Sequence, residues 1–175
     1  MSHKAIFILV EGDDDERFVQ GVITPKLTER YDTVITWKYA GRPAKKINGF
    51  IRSINAMGAE YVCLADINGK VCITEKKNWL STKITGLDPQ KIIVVVKEIE
   101  GWYLAGMDAT AFRKLKAHAY KPTDSLTKEQ FDALIPASYL SRVDFMREIL
   151  KLFSFPVATA GNRSFKYFAN KLSLS

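Results

Sequence analysis

The sequence predicts an α/β protein: a mainly parallel, Rossmann-like sheet of about four strands flanked by helices, followed by a C-terminal helical extension. Three observations predict it. Apolar runs at residues 6–10, 33–39, 61–65 and 92–96 are short, and the first is rich in β-branched residues, as buried strands are. The stretches between them carry apolar residues at helical spacing, and from Asp108 onward the pattern is helical throughout. No linker-like composition or repeat interrupts the chain, so residues 1–175 read as one domain, an α/β core to about 107 and a helical extension from about 108.

The first run ends abruptly in acid: Glu11, Asp13, Asp14, Asp15 and Glu16 follow with only Gly12 among them. In an open α/β sheet that is where ligands bind, outside the carboxyl ends of the strands. A helix start explains part of the cluster, with Asp13 as cap, Glu16 completing a capping box and acids at the positive end of the helix dipole. It does not explain Glu11, which leaves a buried strand, nor Gly12, which allows a sharp turn or a close approach to a bound group. Carboxylates this close repel unless protonated or neutralised by a cation, and oxygen-only ligands suit Mg²⁺ or Mn²⁺.

Phe18, Val19, Val22, Ile23 and Leu27 then mark a helix in which Pro25 imposes a kink or an early end. The second strand, with Val34, Ile35, Trp37 and Tyr39, leads into a basic loop. If that strand is parallel to the first, Arg42, Lys45 and Lys46 are candidate phosphate contacts on the face of Glu11; a solvated helix start is the competing reading. Ile47, Phe50, Ile51 and Ile54 form the next helix face, closed by Gly58. The third strand ends in Asp66, before a turn at Asn68-Gly69, and residues 76–84 read as a short helix with Trp79 and Leu80. Beyond the fourth strand come Glu98 and Glu100, so a third strand end also delivers carboxylates.

In the extension, Ala111, Phe112 and Leu115 mark one helix, residues 127–134 a second, and Ser141 caps a third that turns Val143, Met146, Ile149, Leu150 and Phe153 inward. His118 lies in a Lys-rich stretch with no second ligand nearby and reads as a surface residue. The last helix opens near Asn162 and buries Phe165, Phe168 and Leu172, leaving Asn162, Arg163, Lys166 and Asn170 on the opposite side.

The net charge of +7, with acids crowded into one turn, suits a protein that holds a polyanion and acts on it with metals; the same charge also serves solubility. No apolar run is long enough to span a bilayer and no signal-peptide pattern opens the chain, so a cytoplasmic location is expected. Cys63 and Cys72 make neither a disulfide framework nor a zinc site. No Gly-x-Gly-x-x-Gly follows the first strand, which argues against a dinucleotide site.

The spacing of Glu11, Gly12, Asp15 and Phe18 after an apolar strand resembles the first motif of Toprim domains, metal-dependent modules of topoisomerases, primases and OLD-type (overcoming lysogenisation defect) nucleases. Asp66-Ile67-Asn68 stands where those domains carry Asp-x-Asp, and Glu98-Ile99-Glu100-Gly101-Trp102 resembles a segment of small stand-alone relatives of OLD nucleases, whose pattern favours Glu100. Ser164 and Lys166 look like the Ser and Lys that reach the metal centre in those relatives. The resemblance spans nearly the whole chain.

It implies a metal-dependent nuclease using two Mg²⁺ or Mn²⁺ ions. Glu11, Asp66 and Asp15 would hold one ion, and Glu100 with Glu98 or Asn68 the other. Lys166 with Arg163 would stabilise transition-state charge, and Ser164 would position water or phosphate. It also implies DNA rather than RNA as substrate, an ATPase partner and a role in prokaryotic (phage) defence. Asn68 leaves three alternatives: a site of reduced charge, a different third ligand, or a module that binds nucleic acid or a protein without cutting. A phosphoryl-accepting receiver-like domain shares the early acids and Asp66, but its Lys should follow a final strand, whereas Lys166 lies in a terminal helix pattern.

Overall fold

The apolar run that opens the chain is an inner strand of the sheet. In the computed structural model, which describes residues 3–174, β1 (Ala5–Val10) lies parallel to both β2 (Thr33–Lys38) and β3 (Glu60–Asp66). β4 (Ile92–Val95) lies beyond β3, giving the order β2-β1-β3-β4. Leu9 is in register with Trp37 on one side and Cys63 on the other, so the carboxyl ends of three strands lie side by side. The chain winds outward to β2 and then crosses back over β1 to β3. That reversal is a topological switch point, the crevice where open α/β sheets bind ligands. β1, β3 and β4 are buried almost throughout, whereas β2, an edge strand, is half-buried along its whole length.

Two compact units make up the chain, Met1–Val94 and Val95–Ser175. In the first, α1 (Asp13–Phe18) passes through a π-helical segment, Val19–Ile23, into α2 (Thr24–Leu27). Pro25, the second residue of α2, follows closely on the π-helical segment, and the helix ends two residues later at Leu27. The early end read from Pro25 is thus accompanied by a wider turn before it. α3 (Ala44–Ala56) presents Ile47, Ile51 and Ile54 to Phe7, Leu9, Tyr61, Cys63, Ile92 and Val94 of the strands. It ends as expected at Gly58, whose φ of +62° lets Gly58 N–H reach the Asn55 carbonyl and Ala59 N–H the Ile54 carbonyl. α4 (Ile73–Lys83) begins before residue 76 because Cys72 Sγ accepts the Glu75 N–H at 3.5 Å. Cys72 is therefore a helix cap, and Cys63 is core.

The second unit contains α5 (Glu100–Ala105), α6 (Ala109–Lys114), α7 (Lys128–Ala133), α8 (Arg142–Lys151), α9 (Phe155–Gly161) and α10 (Arg163–Lys171). It starts earlier than residue 108 because α5, buried at every position, packs with α7, α8 and α9. A Cβ on Gly101 would stand 2.6 Å from the Thr123 carbonyl oxygen, so only glycine fits that approach. Ser141 caps α8 as expected, by accepting the Asp144 N–H. The inward face of α8 differs by a residue: Val143, Leu150 and Phe153 are half-buried, whereas Phe145 is fully buried against Phe131. Among the described residues, no helix is long and apolar enough to cross a membrane.

Candidate functional site

β1 carries Glu11 out of the sheet core to the switch point, and Gly12 then begins α1 as its N-cap. The cap is one position earlier than the sequence reading had it. Gly12, not Asp13, precedes the helix, and Asp15, not Glu16, completes the box: Gly12 N–H donates to Asp15 Oδ2 at 3.1 Å. Asp15 is buried, so its carboxylate fixes the turn that aims Glu11.

Three donors from three elements surround the Glu11 carboxylate. Tyr39, just after β2, holds its hydroxyl 3.2 Å from Oε1 and 3.0 Å from the Leu64 carbonyl of β3, so its single proton is shared between the two acceptors. Asn68, in the loop after β3, donates from Nδ2 to Oε2 at 3.3 Å. Lys76 of α4 places its ammonium 3.5 Å from Oε1. Only 5% of the Lys76 side chain is exposed, against 21% for Glu11. Beneath them burial pushes the Cys63 thiol up to about 12, and burial, with Cys63 and Glu11 alongside, holds the Tyr39 phenol well above its ordinary value. Both groups stay neutral at physiological pH.

The other acids of the opening cluster also meet cations of this chain. Lys38 lies 2.5 Å from Asp13 and 3.2 Å from Glu16, and its hydrogen bond holds the Asp13 carboxyl below its ordinary value. Arg17 lies 2.5 Å from Asp14. The neutralising charge that the sequence demanded is thus supplied largely from within. Next to Glu11, an open cleft of about 320 Å³ is lined by Gly12, Asp13, Lys38, Ala40, Gly41 and Arg42. Arg42 is held at its wall, its Nε donating to the Lys38 carbonyl and its guanidinium 4.8 Å above the Trp37 ring. Lys45 and Lys46 are exposed in the first turn of α3.

Among the described residues no group of three or more His, Cys, Asp or Glu forms a ready-made metal cage. Mg²⁺ does not need one: it is commonly held by one or two carboxylates and completed by substrate phosphate and water. Glu11 and Asp66 end adjacent parallel strands and are carboxylates of the kind such an ion takes, while Asn68 turns its Nδ2 rather than an oxygen toward Glu11.

The second unit holds the remaining sequence candidates. Glu98 accepts the Lys128 N–H at the start of α7. Glu100 is buried and ion-paired with Arg142, which also binds Asp132. Ser164 is buried too, accepting from Trp102 Nε1 at 2.8 Å and donating to Asn162 Oδ1 at 2.9 Å. Asn162, placed on the polar face by helical spacing, is instead the buried N-cap of α10, accepting the Phe165 N–H and donating to Thr123. Helical spacing does not place Asn162 because a cap lies outside the helix. Arg163 reaches Asp124 at 3.2 Å, Lys166 is exposed, and so is His118.

Two residues at Glu11 escaped the sequence reading. Lys76 sits in a lysine-rich helix, where lysine ordinarily marks the solvent side. A trace of its burial was available: it stands four residues before Leu80, hence on the same helix face. From sequence Tyr39 belongs to the second strand, whereas β2 ends at Lys38.

No protein-family model matches the sequence, and no curated protein matches it. Solved structures do. The C-terminal region of the OLD protein of Burkholderia pseudomallei superposes with a TM-score of 0.54 at 12% identity, over 97% of this chain and 98% of that one. The fold is that of an OLD C-terminal region. The corresponding region of the Xanthomonas campestris pv. campestris OLD protein superposes with a TM-score of 0.48 at 16% identity, over 96% of this chain and 95% of that one. The α/β class read from the sequence, a parallel sheet flanked by helices, is the class the chain adopts.

Proposed function

We propose that this chain is a divalent-metal-dependent nuclease that cleaves nucleic-acid phosphodiester bonds, DNA in preference to RNA. The observation that carries the reading is the 3.3 Å contact between Asn68 and Glu11, through which the acidic motif after β3 meets the one after β1. Glu11 and Asp66, with Asp15 bracing the turn, are the residues that would hold Mg²⁺ or Mn²⁺. Such ions, when bound, lower the pKa of an attacking water and neutralise charge on the phosphate. Tyr39 and Asn68 orient the Glu11 carboxylate, so the acid is preorganised before substrate arrives. Lys45, Lys46 and Arg42 grip backbone phosphates without reading sequence. The roles given to Glu98, Glu100, Arg163, Ser164 and Lys166, the second ion, an ATPase partner and a part in prokaryotic defence belong to the same proposal and rest on sequence motifs alone.

A second reading, a Toprim-like module that binds nucleic acid without cutting it, is favoured by one observation: both Asn68 and Lys76 engage Glu11 as donors. Incubation of the purified chain with supercoiled plasmid or single-stranded DNA and Mn²⁺ separates the two. The nuclease reading expects cleavage that Glu11→Gln abolishes while circular dichroism stays unchanged. Retarded mobility of uncut DNA with the unmodified chain would instead establish the binding module.

A further inference from the structure

We infer that Lys76 is the resident cation of the Glu11 site, a built-in competitor that must leave before a divalent ion can bind there; the inference rests on the metal-site reading above. Lysine is among the residues least often buried, because an ammonium taken out of water loses several kcal/mol of hydration that only a close opposite charge restores. α4 nevertheless turns Lys76 inward on the same face as Leu80, with 5% of its side chain exposed. The carboxylate it meets is Glu11, at 3.5 Å.

The contact is a loose one. At 3.5 Å it is longer than a charge-assisted hydrogen bond, and it engages Oε1, the oxygen that Tyr39 also approaches. An ammonium on a four-carbon stem has a rotational freedom that a guanidinium fork lacks, and Nζ lies at the same time 5.3 Å from the Trp79 ring, whose face attracts it independently of Glu11. A divalent ion and the ammonium compete for one carboxylate oxygen. The site is therefore held at low metal affinity until nucleic-acid phosphate adds donors to the ion and a second attraction for Lys76. This arrangement couples metal loading to substrate binding, with Lys76 acting as a positioning residue rather than a metal ligand.

The test is Mn²⁺ binding in the absence of nucleic acid, followed by electron paramagnetic resonance of the free ion, for the unmodified chain, Lys76→Met, Lys76→Arg and the double variant Glu11→Gln/Lys76→Met. Removing the competing charge is expected to tighten Mn²⁺ binding about tenfold or more, with the gain lost in the double variant and absent in Lys76→Arg. Unchanged or weaker binding by folded Lys76→Met overturns the inference while leaving the metal site standing. Absence of Mn²⁺ binding in every variant, at millimolar ion and also with oligonucleotide present, overturns the metal-site reading and this inference with it.

A measurement on the unmodified chain guards against variants that fail to fold. Reductive methylation read by mass spectrometry is expected to leave Lys76 unlabelled without metal and to label it at saturating Mn²⁺. Labelling that does not change with bound Mn²⁺ contradicts the competition.

Discussion

Glu11 and Glu100 both stand beyond the end of a strand, and each meets a cation from a later helix, yet their surroundings differ. In the first unit Glu11 keeps 21% of its side chain exposed and meets one flexible ammonium at 3.5 Å. In the second unit Glu100 is 5% exposed and is paired with Arg142, whose guanidinium also binds Asp132 and lies 5.0 Å over the Phe131 ring. A planar, forked cation bonded to two carboxylates and laid over a ring is held by more and closer contacts than an ammonium with one carboxylate at 3.5 Å and the Trp79 ring at 5.3 Å. The comparison teaches that acids at strand ends differ in how tightly their counter-charge is held, and that an incoming cation meets less competition at Glu11 than at Glu100.

The largest expected effect tests that contrast directly. Arg142→Met strips a buried carboxylate of its guanidinium and is expected to lower unfolding stability by about 3–5 kcal/mol. Lys76→Met leaves a partly hydrated Glu11 that still accepts from Tyr39 and Asn68, so about 1 kcal/mol is expected. Urea denaturation that ranks the two variants equally would break the comparison.

Ser164→Ala comes next. It leaves the buried Trp102 indole N–H without its acceptor, for an expected loss of about 1–3 kcal/mol in the same assay. A variant as stable as the parent would show that this hydroxyl is not structural.

Alkaline pH gives a smaller, graded effect in the first unit. The Cys63 thiol stands at about 12 when folded against 9.0 for an unburied thiol, so the unfolded chain loses this proton first. The stabilising contribution is whole below pH 9 and declines from there through about 12, by up to ~1.4 kcal/mol per pH unit. The urea midpoint is therefore expected to fall between pH 8 and pH 10.5, and a constant midpoint would contradict the burial. The mildest check needs no variant: Cys72 is exposed and Cys63 buried, so a thiol reagent should find one reactive cysteine in the native chain and two in urea.

The sheet was legible because its signals are local. Four short apolar runs match four strands, and the turn after α3 needs a positive φ that Gly58 adopts readily. The acids at the strand ends were legible too, since their position follows from where apolar runs stop. What surrounds them was not. Whether Lys76 faces solvent or Glu11, and whether Ser164 faces a cleft or Trp102, is decided by which helix lands on which neighbour, a tertiary fact with no trace in composition. The same limit explains α5: its Gly101 and Trp102 read as a motif, whereas in the fold they are packing contacts against Thr123 and Phe165.

Anomalous diffraction from crystals soaked in Mn²⁺ and a short oligonucleotide tests the central claim most directly. A peak bonded to the Glu11 carboxylate, with the Lys76 ammonium moved off Oε1, is the predicted result. Crystals that show nucleic acid bound but no anomalous density at Glu11, with Lys76 still 3.5 Å from it, would contradict the account.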